Sequence, residues 1–363
     1  MCLALALALA GCAPASALAP SVSAPVPSPS VTVSAPSASP SATASVKPTP
    51  TPSVAATPPA KQLTEWTAGP FELPLEGSIG FATVATTLTK AAGQPGGKLA
   101  AGEPFTIVTD EGDTWIVTSG KKGGRVTASS MMVNLPDLIP SIVYHDVNAD
   151  ASIFRSSGID LPGVTGKQLY KTWGPNQKLG HAEWYMPVLW PMATKIMAAQ
   201  KKALAAGETL IMYQTFRPYS AQSKVVASLT ELSKNNETVH AGIEGAGWKI
   251  GNFIATTLSN HQLGVAIDVT LGKITGRKVV EGRDNLYTEI STDEYKMQTQ
   301  MHELSKAAAP SSSKLTKESK RLRSYCIDSG MSPIGSEWWH FDDLDAKKKS
   351  APGSNGRYEL QLP

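Results

Sequence analysis

The chain has 363 residues, 41% of them hydrophobic, which is long enough for two domains and a tail. Its 33 basic and 30 acidic residues give a formal net charge of +3, so it lacks the strongly basic balance of nucleic-acid-binding proteins. The three cysteines are Cys2, Cys12 and Cys326, and no Cys-x-x-Cys pair occurs. Composition therefore excludes a disulfide-rich module and a cysteine-based zinc ribbon.

Residues 1–12 have the pattern of a lipoprotein signal. An unbroken Leu/Ala run over 3–10 leads into Leu9-Ala10-Gly11-Cys12, in which the cysteine would take the lipid. The run is shorter than the ~20 apolar residues that span a bilayer. No basic residue precedes it, unlike most such signals, and a fortuitous Ala-rich start is the alternative. We expect lipidation of Cys12, and anchoring at the extracellular face of the cytoplasmic membrane, within the cell wall.

Residues 13–60 predict a disordered tether. They are almost wholly Ala, Pro, Ser, Thr and Val, with twelve prolines and with Lys47 as the only charged residue. Such a segment cannot bury enough apolar surface to offset the entropy of ordering. Extended, it would reach roughly 150 Å at about 3.1 Å per residue. It would serve a lipid-anchored protein as a spacer, although a passive linker has the same composition.

Residues 61–131 predict a small β-rich domain. Phe105–Val108 and Trp115–Val117 have strand character and flank the turn-forming Asp110-Glu111-Gly112-Asp113. A further turn and strand follow at 121–126. The arrangement resembles a bacterial SH3-like domain, which implies wall binding, but Arg125 stands where that family has an aromatic residue. A structural spacer is the alternative.

Residues 132–363 mix helical and strand patterns without regular alternation, which predicts an α+β domain. The predicted elements are a helix over Tyr185–Ala206 ended by Gly207, a buried strand over Thr209–Tyr213, a helix opened by Pro218, a helix with the stripe Met297, Met301, Leu304 and Ala308, and a helix over Thr316–Asp328.

The stretch 259–268 and the motif 337–340 carry the chemistry. Val265, Ile267 and Val269 alternate with polar or small residues at a strand period, so Asp268 faces away from them. Gly264 lets the chain bend and turn His261 toward the same point. Two imidazoles and a carboxylate are the ligand types of a catalytic zinc with an open position for water.

These residues resemble a known family. Ser-x-His-x-x-Gly-x-Ala-x-Asp at 259–268, followed by Glu-x-x-His at 337–340, is similar to the VanY-type zinc D-alanyl-D-alanine carboxypeptidases of the peptidase M15 type. The similarity covers roughly residues 130–345 and implies an antiparallel sheet with flanking helices. It implies that His261, Asp268 and His340 are zinc ligands and that Glu337 is the catalytic base. Arg217 matches a family arginine and would hold the terminal carboxylate of the substrate or stabilise the oxyanion. Gln222 and Ser259 are expected to bind the substrate beside it through hydrogen bonds.

The other histidines have no comparable neighbours in the sequence. His302 lies in the predicted helix with the methionine stripe, where we expect it to face solvent. His181 lies two residues from Glu183 and is rejected as a ligand.

The predicted function is therefore zinc-dependent removal of the terminal D-Ala from peptidoglycan stem peptides, by a monomer with no nucleic-acid partner. A D,D-dipeptidase or an endopeptidase would use the same zinc site. An inactive wall-binding lipoprotein is the rival from another class, but such a protein has no need of Glu337.

Overall fold

The computed structural model describes residues 61, 71–245, 247–311, 315–351 and 353–363. They belong to one compact unit, 59–363. The predicted lipoprotein signal and tether lie outside the described residues. No helix in the described ranges is long and apolar enough to cross a bilayer.

Strands outnumber helices in the described part of the chain, and most of the strands pair in two sheets. In chain order, the strands are β1 (Ile79–Ala82), β2 (Thr86–Thr89), β3 (Pro95–Leu99), β4 (Pro104–Asp110), β5 (Thr114–Ser119), β6 (Lys122–Thr127), β7 (Met131–Asn134), β8 (Val143–Tyr144), β9 (Arg155–Ser156), β10 (Ile159–Asp160), β11 (Trp173–Asn176), β12 (His181–Trp184), β13 (Pro187–Leu189), β14 (Glu208–Gln214), β15 (Ala266–Glu281), β16 (Leu286–Glu294), β17 (Ser332–Pro333) and β18 (His340–Asp342). The helices are α1 (Trp190–Ala205), α2 (Tyr219–Asn235), α3 (Glu237–Glu244), α4 (Lys317–Ile327) and α5 (Leu344–Lys349).

The N-terminal sheet is antiparallel and has the order β13-β7-β1-β4-β5-β6-β2-β3. The strand predictions around Phe105 and Trp115 are confirmed by β4 and β5, which pair with each other. The predicted boundary between residues 131 and 132 falls inside β7, and β13 extends the same sheet. The division of 61–363 into an SH3-like and a catalytic domain stays a prediction.

The second sheet has the order β17-β18-β15-β14-β8, and β16 also pairs with β15. All of its pairs are antiparallel except β14 with β8. The first seven residues of β15 are buried, because this part of the strand is central and has β14 and β18 on its two sides. The predicted strands around Thr209 and Ile267 are confirmed by β14 and β15.

The register of this sheet assembles the site. Asp268 on β15 lies opposite His340 on β18 and opposite Gln214 on β14. A ladder pair brings side chains on the same face to within direct contact distance. Two residues that are 72 positions apart in the chain thus become neighbours through backbone pairing.

Helices α1 and α4 pack against this sheet, and the sequence signals predicted the end of α1, the start of α2 and both ends of α4. Thr316 caps α4 by accepting a hydrogen bond from the backbone N–H of Ser319, and α2 begins directly after Pro218. The helix predicted over Tyr185–Ala206 ends as expected, but it begins only at Trp190. Residues 187–189 instead form the edge strand β13, whose pairing with β7 outweighs the helical spacing of their side chains.

The helix predicted on the methionine stripe is wrong. Met297, Met301, Leu304 and Ala308 are all buried, as their spacing suggested, but the chain there is irregular apart from a short 3-10 turn at Lys306–Ala308. The reason lies at His302, whose backbone is left-handed with φ of 58°. A non-glycine residue in that region interrupts a right-handed helix.

Asp137 links the strands β1, β7 and β11 and gives a stability prediction. Its carboxylate is fully buried and accepts hydrogen bonds from the backbone of Ile79 and from the side chains of Asn134 and Asn176. Asp137→Ala leaves these buried donors unpaired, so we expect it to lower the free energy of unfolding by about 3 kcal/mol in urea titrations. Exposed Asp113→Ala is the control and should change it by less than about 0.5 kcal/mol. Equal stabilities of the two variants would contradict this role.

Candidate metal centre

Three side chains from separate parts of the chain converge beneath a cavity. His261 lies in a 3-10 turn, His261–Leu263, and the turn ends at Gly264, whose φ is 68°. This left-handed glycine provides the predicted bend, and a Cβ there would lie 2.7 Å from the Met132 sulfur. Asp268 and His340 come from the paired strands β15 and β18. The structure thus brings together the three residues that the sequence analysis selected as zinc ligands.

The ligand atoms have the spacing that zinc needs. His340 Nδ1 lies 3.0 Å from Asp268 Oδ1 and 3.2 Å from His261 Nε2. The distance from His261 Nε2 to Asp268 Oδ1 is 3.4 Å. Tetrahedral ligands at zinc distances of ~2.0–2.1 Å are roughly 3.3 Å apart. All three residues are buried, so their geometry is held by the surrounding structure. The donor set therefore fits a zinc ion with one position left open.

Each of the three candidate ligands is oriented by an outer hydrogen bond. His261 Nδ1 donates to the Thr215 carbonyl at 2.6 Å, and His340 Nε2 donates to Asp342 Oδ1 at 2.9 Å. These bonds occupy one ring nitrogen of each histidine and leave the other for a metal. Asp342 was missed in the sequence, although it lies two residues after His340 on the same strand and so faces the same side.

The outer partner of Asp268 is His302. Its Nε2 donates to Asp268 Oδ2 at 3.0 Å, and both side chains are fully buried. The expectation that His302 faces solvent is therefore wrong, because it rested on the helix that does not form. No sequence signal marked this residue, since its position depends on an irregular loop.

Glu337 lies beside the ligand set without joining it. Its Oε2 is 4.0 Å from His340 Nδ1, and its buried Oε1 has no hydrogen-bond partner among the described residues. Burial, opposed by the charge of His340, raises the pKa of Glu337 to about 8. A divalent cation in the centre would oppose this shift and favour the carboxylate form of Glu337, which is the form that accepts a proton.

The electrostatics of the site favour a cation. Burial lowers the pKa of His261 to about 4, so its imidazole is neutral at pH 7. Burial acts to raise the pKa of Asp268, but the neighbouring histidines hold it well below its ordinary value. Burial also acts to lower the pKa of His340, but Asp342 and Asp268 hold it well above the ordinary value. The buried carboxylates of Asp268 and Asp342 thus attract positive charge to the centre. A bound divalent ion would supply that charge.

The cavity above the centre has a volume of about 510 Å³. Besides the ligands and Glu337, it is lined by apolar and polar side chains that include Phe154, Trp248, Phe253, Ser259 and Trp339. Ser259 Oγ accepts a hydrogen bond from the backbone N–H of His261 at 3.3 Å, which leaves its hydroxyl proton free to donate.

Arg217 also lines this cavity, at the junction of β14 and α2. It is 4% exposed, and its guanidinium lies 5.3 Å from the centre of the Phe154 ring. Its Nε and Nη1 have no hydrogen-bond partner within the described part of the chain. A buried cation with free donors is a binding site for an anion.

Gln222 is placed differently from the other predicted residues. It is not among the described residues that line the cavity, and its Nε2 donates to the Ala255 carbonyl at 2.7 Å. This contact favours support of the segment at Ala255, which does line the cavity, over the predicted contact with substrate.

Comparison with known proteins agrees with this geometry. A family model described as D-Ala-D-Ala dipeptidase, peptidase M15, matches residues 162–358. No curated protein gives a significant match. The matched range includes all three ligand residues, Glu337 and Arg217, and it covers more than half of the chain. The chain therefore belongs to the peptidase M15 family, a family of zinc metallopeptidases.

Proposed function

We propose that this protein is a zinc D-alanyl-D-alanine carboxypeptidase that removes the last residue of peptidoglycan stem peptides. One observation carries the proposal. Glu337 and Arg217 are both buried, have polar atoms without a hydrogen-bond partner among the described residues, and line the same cavity as the histidine–aspartate–histidine set. A hydrolase for a peptide with a free terminal carboxylate needs a base at the scissile bond and a cation beyond it.

Glu337 acts as the proton carrier. A zinc ion held by His261, Asp268 and His340 would lower the pKa of a water molecule and polarise the scissile carbonyl. Glu337 takes one proton from the attacking water through its free Oε1, while the water oxygen forms a bond to the carbonyl carbon. It then gives this proton to the leaving nitrogen as the carbon–nitrogen bond breaks. The products are the shortened peptide and free D-Ala.

Arg217 and Ser259 bind the substrate's terminal carboxylate. The planar guanidinium can give two parallel charge-assisted hydrogen bonds, and the Ser259 hydroxyl can give a third. Because Arg217 is buried, it meets the carboxylate in a medium where the attraction is weakly screened. Binding then aligns the last peptide bond with Glu337.

The size of the cavity supports a substrate longer than a dipeptide. A volume of about 510 Å³ falls in the range of sites for drug-sized ligands and exceeds what two alanines fill. The description of the matched family names a D-Ala-D-Ala dipeptidase, so hydrolysis of the free dipeptide D-Ala-D-Ala into two alanines is the second candidate.

Mass spectrometry of the products separates the candidates. We expect a stem pentapeptide ending in D-Ala-D-Ala to lose one alanine when incubated with the zinc-loaded protein. The free dipeptide D-Ala-D-Ala should be cut much more slowly. Rapid cleavage of the free dipeptide would favour the dipeptidase, and a cut inside the stem would favour an endopeptidase. No cleavage of any of these peptides would contradict the proposal.

The place of action is proposed from the sequence alone. Leu9-Ala10-Gly11-Cys12 supports a lipid anchor at the outer face of the cytoplasmic membrane, with 13–60 as the tether. A diacylglycerol carries two acyl chains, which is enough for stable anchoring. The mass of the mature N-terminal peptide tests this, and an unmodified Cys12 would refute it.

A further inference from the structure

We propose that His302 is a positioning residue that holds the Asp268 carboxylate in a one-oxygen binding mode and thereby sets the affinity and openness of the metal centre. The proposal rests on the function proposed above, because it concerns the same site. His302 is not a ligand, and it comes from the irregular segment between β16 and α4. It supplies the outer hydrogen bond of Asp268 from a part of the chain that contributes none of the three ligands.

The hydrogen bond is well defined. His302 Nε2 lies 3.0 Å from Asp268 Oδ2, while Oδ1 of the same carboxylate faces His340 Nδ1 at 3.0 Å. Oδ2 therefore accepts the hydrogen bond from His302, and Oδ1 is the oxygen that faces the other two candidate ligands. Since a carboxylate oxygen only accepts, Nε2 must carry the proton, and Nδ1 is then the acceptor atom of the ring.

Packing leaves the His302 ring little freedom. It stacks on Phe154 with ring centres 4.3 Å apart and an interplanar angle of 12°, and Trp339 meets it at 73° and 6.0 Å. The His302 carbonyl accepts a hydrogen bond from the backbone N–H of Arg155 at 3.2 Å.

The backbone of His302 is strained in addition. Its φ of 58° is in the left-handed region, one of only two non-glycine cases in the described residues. Functional sites commonly contain residues whose strained backbone is held in place by the surrounding structure, and His302 lies in the wall of the cavity.

The chemical consequence concerns the coordination number. An unconstrained aspartate can bind a metal through one oxygen or through both. With Oδ2 engaged by His302, Asp268 offers Oδ1 alone. The position that a second carboxylate oxygen would fill then stays open for water and substrate, which a catalytic zinc requires.

The left-handed backbone allows a sharp test. Asparagine tolerates a positive φ better than other side chains, so His302→Asn fits the backbone but is too short to reach Asp268. Glutamine has the reach of the histidine Nε2, so His302→Gln can restore the hydrogen bond at the cost of more backbone strain. Exposed His240→Asn is the control for the loss of a histidine elsewhere.

The main readout is zinc affinity, measured by competition with a chromogenic chelator. We expect His302→Asn to lower it about 10- to 100-fold, the usual effect of removing an outer-shell partner. His302→Gln should stay within a few-fold of the unmutated protein. The visible spectrum of the cobalt-substituted Asn variant should lose intensity, because Asp268 can then supply a second oxygen and raise the coordination number.

A purely structural role predicts the reverse pattern. Unfolding of the zinc-free proteins would then show His302→Asn destabilised while zinc affinity and the cobalt spectrum of the folded fraction stay unchanged, and this result would overturn the proposal. Equal zinc affinities of the Asn and Gln variants would also overturn it. If the unmutated protein bound no zinc, the proposed function would fail instead, so the two failures are distinguishable.

Discussion

Glu337→Gln is expected to retain one zinc ion per chain while turnover falls about 10²- to 10⁴-fold, the usual contribution of a general base. Glutamine has nearly the same shape but cannot accept a proton. Metal retention is expected because Glu337 is not one of the three ligand residues, and its nearer oxygen is 4.0 Å from His340 Nδ1. Elemental analysis of the purified variant gives the metal content, and release of D-Ala gives the rate.

Two comparisons make the Glu337 result specific. His261→Ala removes a ligand, so it should lose both zinc and activity. Glu183→Gln changes a half-buried carboxyl that does not line the cavity in the described structure, and it should leave both unchanged. A Glu337→Gln protein with at least a third of the unmutated rate would remove Glu337 from the mechanism. Loss of zinc from that variant would make Glu337 a ligand.

Arg217→Ala is expected to slow the cleavage of free-acid stem peptides by roughly 30- to 1000-fold. This range corresponds to about 2–4 kcal/mol for the loss of a charge-assisted pair in a shielded site. We expect this pair to be among the stronger contacts of its kind, because Arg217 is little exposed to water and two of its nitrogens have no hydrogen-bond partner in the part of the chain that the structure describes. The measurement is kcat/KM on a peptide ending in D-Ala-D-Ala.

A C-terminally amidated copy of the same peptide is the matched substrate control. The unmutated enzyme should cleave it far more slowly, and Arg217→Ala should change that slow rate little, because the amide offers no carboxylate. Arg217→Lys keeps the charge but loses the planar fork, so it should recover only part of the rate. Equal rates on acid and amide by the unmutated enzyme would reject carboxylate recognition and favour an endopeptidase.

The sequence predicted the grouping of His261, Asp268 and His340 better than it predicted the residues around them. Strand periodicity at Val265, Ile267 and Val269 placed Asp268 on the correct face, since alternation is a local property of the chain. The motif at Glu337 and His340 is equally local. What joins the two motifs is the β15–β18 register, which depends on backbone pairing between distant segments and was known only through the family resemblance.

The errors have a common physical cause. Met297, Met301, Leu304 and Ala308 are buried at helical spacing, but an irregular chain can bury the same positions. The spacing of apolar residues predicts which side chains are buried, but it does not determine the backbone conformation between them. His302 was misplaced for that reason. The Thr215 carbonyl that orients His261 had no sequence signal at all, because any residue has a carbonyl group.

The pairing of β15 with β18 also has a consequence for how the protein folds. Asp268 and His340 are separated by 72 positions, so their contact closes a long loop and depends on contacts of high sequence separation, which form slowly. Because Asp268 and His340 meet only through this pairing, the set of three ligand-type side chains is complete only once β15 and β18 have paired. A metal that binds only the folded chain slows unfolding more than it speeds folding. A bound zinc ion would thus extend the lifetime of the folded state as well as support catalysis.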